Sequence, residues 1–166
     1  MSKVKELSFR GNTIYCGLDA HKTNWKINCR MGDSELKGFS QNPDAALFKS
    51  HMSRQYPGAE IKVVYEAGFC GFGIQRSLTE LGMECIVVNA ADVPASDKER
   101  KRKDDKRDAR KLSRELAEGN LKAIYIPKQS MEHARSLVRQ RHRLMQDQTR
   151  CKNRIKHLLM FSGLQV

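Results

Sequence analysis

"IKVVYEAGFCGFGIQRSLTELGMECIVVNA", residues 61–90, places two apolar runs on either side of a short segment with helical period. The first run stops at Glu66, Ala67 and Gly68, and the second follows Gly82. Nearly continuous apolar runs of this length read as strands buried on both faces, and 72–81 reads as the helix between them. A strand, a helix and a strand in about thirty residues form a crossover, which requires parallel strands covered by helices. That unit makes the chain an α/β protein.

Upstream, "NTIYCGLDAHK" (12–22) alternates, with Ile14, Cys16 and Leu18 on one face and Tyr15, Gly17 and Asp19 on the other. This predicts a strand ending near Asp19. "NWKINCRM" (24–31) and "SELKGFS" (34–40) predict two further strands turning at Gly32 and Asp33, the second weakened by Gly38. A helix is predicted over 44–54, with Pro43 at its first turn and Ala46, Leu47 and Met52 available for burial. Downstream, 89–104 lacks an apolar period and reads as a loop, and a helix runs from Asp105 to a stop before Gly119. "AIYIP" (123–127) predicts one more short strand, and 130–161 a single long helix. Its apolar positions, from Met131 through Leu137/Val138 and Leu144/Met145 to Leu158/Leu159, keep close to a seven-residue period, a stripe that wants a partner helix. The domain boundary falls between 1–127 and 128–166.

Charge divides the chain in the same way. Of 31 Lys and Arg and 19 Asp and Glu, residues 1–97 hold 11 of each, and 98–166 hold 20 and 8. The whole excess of +12 therefore lies in the second part. A neutral scaffold joined to a basic segment suits a polyanion, because each neutralised phosphate releases counterion. The five cysteines are widely spaced and unpaired by motif, as expected of reduced core residues in a cytoplasmic protein. No apolar run is long enough to span a bilayer, and the polar start does not read as a signal peptide.

Within the basic part, "KRKDDKRDARKLS" (101–113) carries three aspartates. Asp105, Asp108, Leu112 and Leu116 follow one another at three, four and four residues, so two of the acids extend the stripe that packs on the sheet, and Asp104 does not. Asp19 and Glu66 each stand at the carboxyl end of a predicted strand, where open α/β sheets place their sites. If those strands are neighbours under that helix, four carboxylates converge. Two unit charges about 4 Å apart repel by roughly 4 kcal/mol at an effective dielectric near 20, so such a set needs compensation by a divalent ion. Acids at strand ends also serve as helix caps and turn formers.

"GLDAHK", "YEAG" and "KDDKRDARKLS", in this order, with "VNAADVPASDKERKRK" before the last and "VRQRHRLMQDQTRCKNRIKHLL" after it, resemble the DEDD transposases of bacterial insertion sequences, relatives of the Piv invertase. The resemblance covers essentially the whole chain. It implies a ribonuclease-H-like mixed sheet with flanking helices, related to the Holliday-junction resolvase RuvC, followed by a long basic coiled-coil helix. It implies a metal-bound catalytic tetrad on Asp19, Glu66, Asp105 and Asp108, with Mg²⁺ (or Mn²⁺) as cofactor. Members usually carry a small hydroxyl residue before the third acid; here it is Asp104, and the helical stripe favours Asp105 as the ligand. The resemblance further implies DNA as partner, a structured guide RNA of the bridge type, and a nucleoid-associated location in a bacterial cytoplasm. Full-length members add a carboxy-terminal domain with a nucleophilic serine, joined through the long helix. No serine of this chain sits in a matching context, so the expectation is an amino-terminal catalytic portion.

Lys22, Lys101, Arg102, Lys103, Arg107, Arg139, Arg143, Arg150, Lys152, Arg154 and Lys156 are the expected nucleic-acid contacts, and the long helix favours a homo-oligomer. Trp25, Phe39 and Phe48 read as core, whereas Phe69 and Phe72 lie beside Glu66 in a glycine-rich loop able to shape a site. Two rivals remain open at this point. A self-sufficient junction resolvase would cleave a four-way junction unaided, and a non-catalytic RNA-binding or dimerising module would bind RNA without regard to Mg²⁺ or to the four acids.

Overall fold

A computed structural model describes residues 8–94 and 105–165, with the backbone alone for 105–107. The chain divides into two units, Met1–Tyr125 and Ile126–Val166.

The first unit is built on one mixed sheet. Its strands are β1 (Thr13–Ala20), β2 (Trp25–Met31), β3 (Ser34–Glu35), β4 (Phe39–Gln41), β5 (Glu60–Glu66) and β6 (Glu84–Val88). The order is β3-β2-β1-β5-β6, with β4 also paired to β2. β1 and β2 run antiparallel, and β1, β5 and β6 run parallel. Three antiparallel strands feed a parallel crossover, which gives the mixed sheet expected from the sequence. Helices α1 (Ala45–Gln55), α2 (Gly73–Glu80) and α3 (Asp105–Ala117) flank it.

Two layers of side chains follow from strand alternation. Gly17 lies opposite Val64 in the β1–β5 register, and both belong to the face that α3 covers, where Val64, Val88, Val93 and Leu112 form an apolar cluster. Burying a side chain such as Leu112, 1% exposed, stabilises by about 1.5–3 kcal/mol. Leu18 and Tyr65 point the other way, and the Tyr65 hydroxyl reaches Gly71 and Gln75 at the start of α2. Phe48 and Met52 of α1 and Leu78 of α2 are the buried residues of those helices.

Several expectations change in detail. The segment 34–40 is two short strands on one edge of β2, because Gly38 passes so close that a Cβ there would stand 2.9 Å from the Ile27 carbonyl oxygen. In α1, Asp44 is the N-cap, accepting from the Leu47 N–H, and this phase buries Phe48 and leaves Leu47 48% exposed. "AIYIP" makes only a bridge between Val88 and Ala123, with the Ile124 N–H donating to the Val87 carbonyl. α3 stops where Gly119 adopts φ +73°, a conformation that glycine alone enters without strain.

The second unit is one helix, α4 (Gln129–Phe161), which has no buried residue. Leu137, Val138, Leu144, Met145, Ile155 and Leu158 are all more than half exposed. No described helix is long and apolar enough to cross a membrane.

Candidate active site

Leu18 of β1 lies opposite Tyr65 of β5, so the next residue on each parallel strand is an acid, Asp19 and Glu66. Alternation turns both towards the face that carries Gly17, Val64 and α3. Gly17 lets α3 come down on that face. A Cβ at this position would stand 2.0 Å from the Ala109 carbonyl oxygen and 2.6 Å from the Ser113 nitrogen, closer than any side chain permits. Ala109 is 1% exposed against the sheet, and Asp108, its neighbour, reaches the strand ends.

Asp19, Glu66 and Asp108 line one cleft of about 220 Å³, together with His21 and residues of the loop after β5. Three of the four acids expected from the sequence thus share a cavity. Asp105 is the first residue of α3, and its side chain lies outside the described residues. Among the described residues, no three Asp, Glu, His or Cys side chains stand close enough together to hold an ion as placed. His21 Nε2 stands 2.9 Å from Asp19 Oδ2 and engages that carboxylate.

The loop 67–72 walls the cleft. Its first amide, Ala67 N–H, donates to the Val88 carbonyl at 2.8 Å, and the Tyr65 hydroxyl donates to the Gly71 carbonyl at 2.9 Å. Burial raises the Tyr65 phenol well above its ordinary range and keeps it a donor. Burial likewise raises the Cys70 thiol, which disfavours the thiolate a cysteine nucleophile would need. Phe69, at the cleft, is 73% exposed.

Of the expected nucleic-acid contacts, Lys22 is exposed in the turn after β1, and Arg139, Arg143, Arg150, Lys152, Arg154 and Lys156 are exposed along α4. Arg150 is paired with Asp147 at 2.8 Å. Lys101, Arg102 and Lys103 lie outside the described residues, as does the side chain of Arg107.

A model of the transposase family, of the DEDD type associated with the insertion sequence IS110, matches residues 16–162. The chain belongs to the DEDD transposases. Among curated relatives of this transposase chain, y4qE of Sinorhizobium fredii, which bears a transposase name, is 32% identical over 131 residues, covering 76% of this chain and 33% of its own length. The transposase for insertion sequence element IS1533 of Leptospira borgpetersenii is 29% identical over 157 residues, covering 92% and 45%. The chain thus spans between a third and a half of the length of these relatives. Among solved structures, the large terminase nuclease from thermophilic phage G20c with bound cobalt aligns with a TM-score of 0.40 at 16% identity, over 68% of this chain and 58% of that one.

The sequence names the acids but hides their support. Its alternation puts Gly17 on a face without giving it a role, although a glycine inside a regular strand two residues before an acid signals close backbone approach. The hydrogen bond that Ser113 of α3 donates to Asn28 of β2, at 2.7 Å, carries no sequence signature.

Proposed function

We propose that this chain is the strand-cleaving portion of a DNA transposase, with Asp19, Glu66, Asp105 and Asp108 holding Mg²⁺ (or Mn²⁺) at the mouth of the sheet. The observation that carries this reading is the meeting of Asp19, Glu66 and Asp108 at one cleft in a chain of the transposase family. Their chemistry fits the ion: carboxylate oxygens are the ligands hard divalent cations take, and clustered carboxylates need a cation to remain ionised together. When bound, the ion supplies charge stabilisation on the phosphate and a more acidic attacking water or hydroxyl.

The protein's own groups prepare that state. Asp19, Glu66 and Asp108 would offer carboxylate oxygens to the ion, and His21, in contact with Asp19 at 2.9 Å, would orient that carboxylate. Lys22, beyond the end of β1, holds a flanking phosphate. Phe69 offers an exposed ring on which an unpaired base can stack. The cations of α4 bind phosphate backbone without sequence readout, and a guide RNA of the bridge type shares that surface with DNA. The exposed apolar positions of α4 pair with α4 of a second copy.

Thermal unfolding with and without Mg²⁺ or Mn²⁺ tests the ligand set. The parent chain is expected to gain several degrees at saturating ion, and Glu66→Ala and Asp105→Ala to gain none. Equal gains in all three proteins would remove the acids from the site.

A further inference from the structure

α3 carries half of the acid set, yet most of what presses it to the sheet is apolar contact from Ala109, Leu112 and Leu116, which has no direction and fixes neither rotation nor slide. One polar group of contacts does have direction. Ser113, fully buried on α3, donates its hydroxyl to Asn28 Oδ1 of β2 at 2.7 Å, and the Arg110 carbonyl oxygen stands 2.9 Å from the same hydroxyl. Asn28, 8% exposed, donates Nδ2 to Glu35 Oε1 of β3 at 2.9 Å. Glu35 Oε2 in turn accepts from the Arg110 guanidinium, back on α3. The contacts close a ring through α3, β2, β3 and α3 again.

Resting on the metal reading above, we propose that this ring is a positioning device: Asn28 and Ser113 set the register of α3 so that Asp108 meets Asp19 and Glu66 at the cleft. Neither residue touches the cleft. They act through the helix, with Asp108 five residues and Asp105 eight residues before Ser113. The geometry requires a polar device here. Gly17 offers no side chain to key the helix to β1, and apolar contact without direction opposes only weakly a rotation that would swing Asp108 away from the strand ends. The Ser113–Asn28 hydrogen bond, 2.7 Å between two buried side chains, penalises that rotation, because both groups would be left unsatisfied.

The double variant Asn28→Leu/Ser113→Ala separates position from stability. Replacing both partners of the buried Ser113–Asn28 bond by apolar groups leaves no buried orphan, since Glu35, which loses the Asn28 donor, is exposed to water, so the melting temperature is expected to stay near the parent's, whereas Ser113→Ala alone lowers it. Under the proposal both variants bind Mn²⁺ about tenfold or more weakly, the loss typical when groups supporting metal ligands are removed. Phe48→Ala, destabilised on the other face, keeps parental Mn²⁺ affinity. Affinity that follows melting temperature across the set, recovering in the double variant, would overturn the proposal. If the parent takes up no Mn²⁺, the metal reading fails by itself, and amide resonances decide the ring. Displaced signals for 105–109 with those of β6 unchanged support the ring, and unchanged signals throughout refute it.

Discussion

A methyl group on Gly17 would lie 2.0 Å from a carbonyl oxygen of α3, and the obstacle is backbone, which cannot rotate aside. Gly17→Ala is therefore expected to lift the helix, costing about 1–3 kcal/mol or more by urea unfolding and weakening Mn²⁺ binding beyond what Phe48→Ala does. A second consequence at this scale concerns alkali. Burial pushes the Cys85 thiol up to about 12 and raises Tyr65 and Cys16, so each stays protonated in the fold at pH values where the unfolded chain has released its proton. The unfolded groups titrate near 8.5 for Cys and 10 for Tyr. Above those values the unfolded state holds fewer protons, so stability falls as pH rises, by up to about 1.4 kcal/mol per pH unit for each group, until the folded value is reached. Urea midpoints measured from pH 8 to 11 are expected to fall, and Cys85→Ala to flatten the slope.

The elements that carry the acids are legible in the sequence. β1, β5 and β6 combine apolar patterns with stops at Asp19, Glu66 and Asn89, and α3 shows its stripe in spacing alone. What cannot be read there lies where local pattern is overruled by packing. Phe48 is buried as its sequence suggests, whereas Leu47, expected to be available for burial, is turned outward by the phase that the Asp44 cap sets. Gly38 marks a weak point of the strand expected over 34–40 in the sequence, but the approach of the Ile27 carbonyl, which a Cβ at Gly38 would meet at 2.9 Å, is visible only in the fold. Asp105 and Asp108 stand out because acids on an apolar stripe are costly and so conspicuous, and Asp19 and Glu66 because each ends an apolar strand, whereas a neutral pair of Ser and Asn leaves no such trace. The loop between β5 and α2 combines both cases. Its glycines and aromatics single it out in the sequence, and its anchoring by the Tyr65 hydroxyl is visible only in the fold. Phe69→Ala is expected to weaken binding of a single-stranded oligonucleotide by about 1–3 kcal/mol, the usual contribution of one stacked base, and to leave the melting temperature unchanged. Fluorescence titration measures the first and calorimetry the second.

For the molecule as a whole, the charge excess and the carboxylate cleft make opposite demands. The cleft repels phosphate until a cation is present, and the basic segment attracts phosphate regardless. Binding and cleavage should therefore part company: nucleic acid binds without divalent ion and is cut only with it. On α4 the cations far outnumber the acids, with Glu132 and Asp147 the only carboxylates along Gln129–Phe161. Changing Arg139, Arg143 and Lys152 to Gln is expected to reduce the slope of log affinity against log salt for duplex DNA by about 0.9 for each phosphate that is no longer neutralised. An unchanged slope would move the backbone-binding surface off this helix. The catalytic reading stands on Asp19, Glu66 and Asp108 gathering around a divalent ion, and anomalous diffraction from a crystal soaked in manganese would show that ion or its absence. A peak is expected within about 2–2.5 Å of oxygens from at least two of the three carboxylates. A well-ordered cleft with no peak would contradict it.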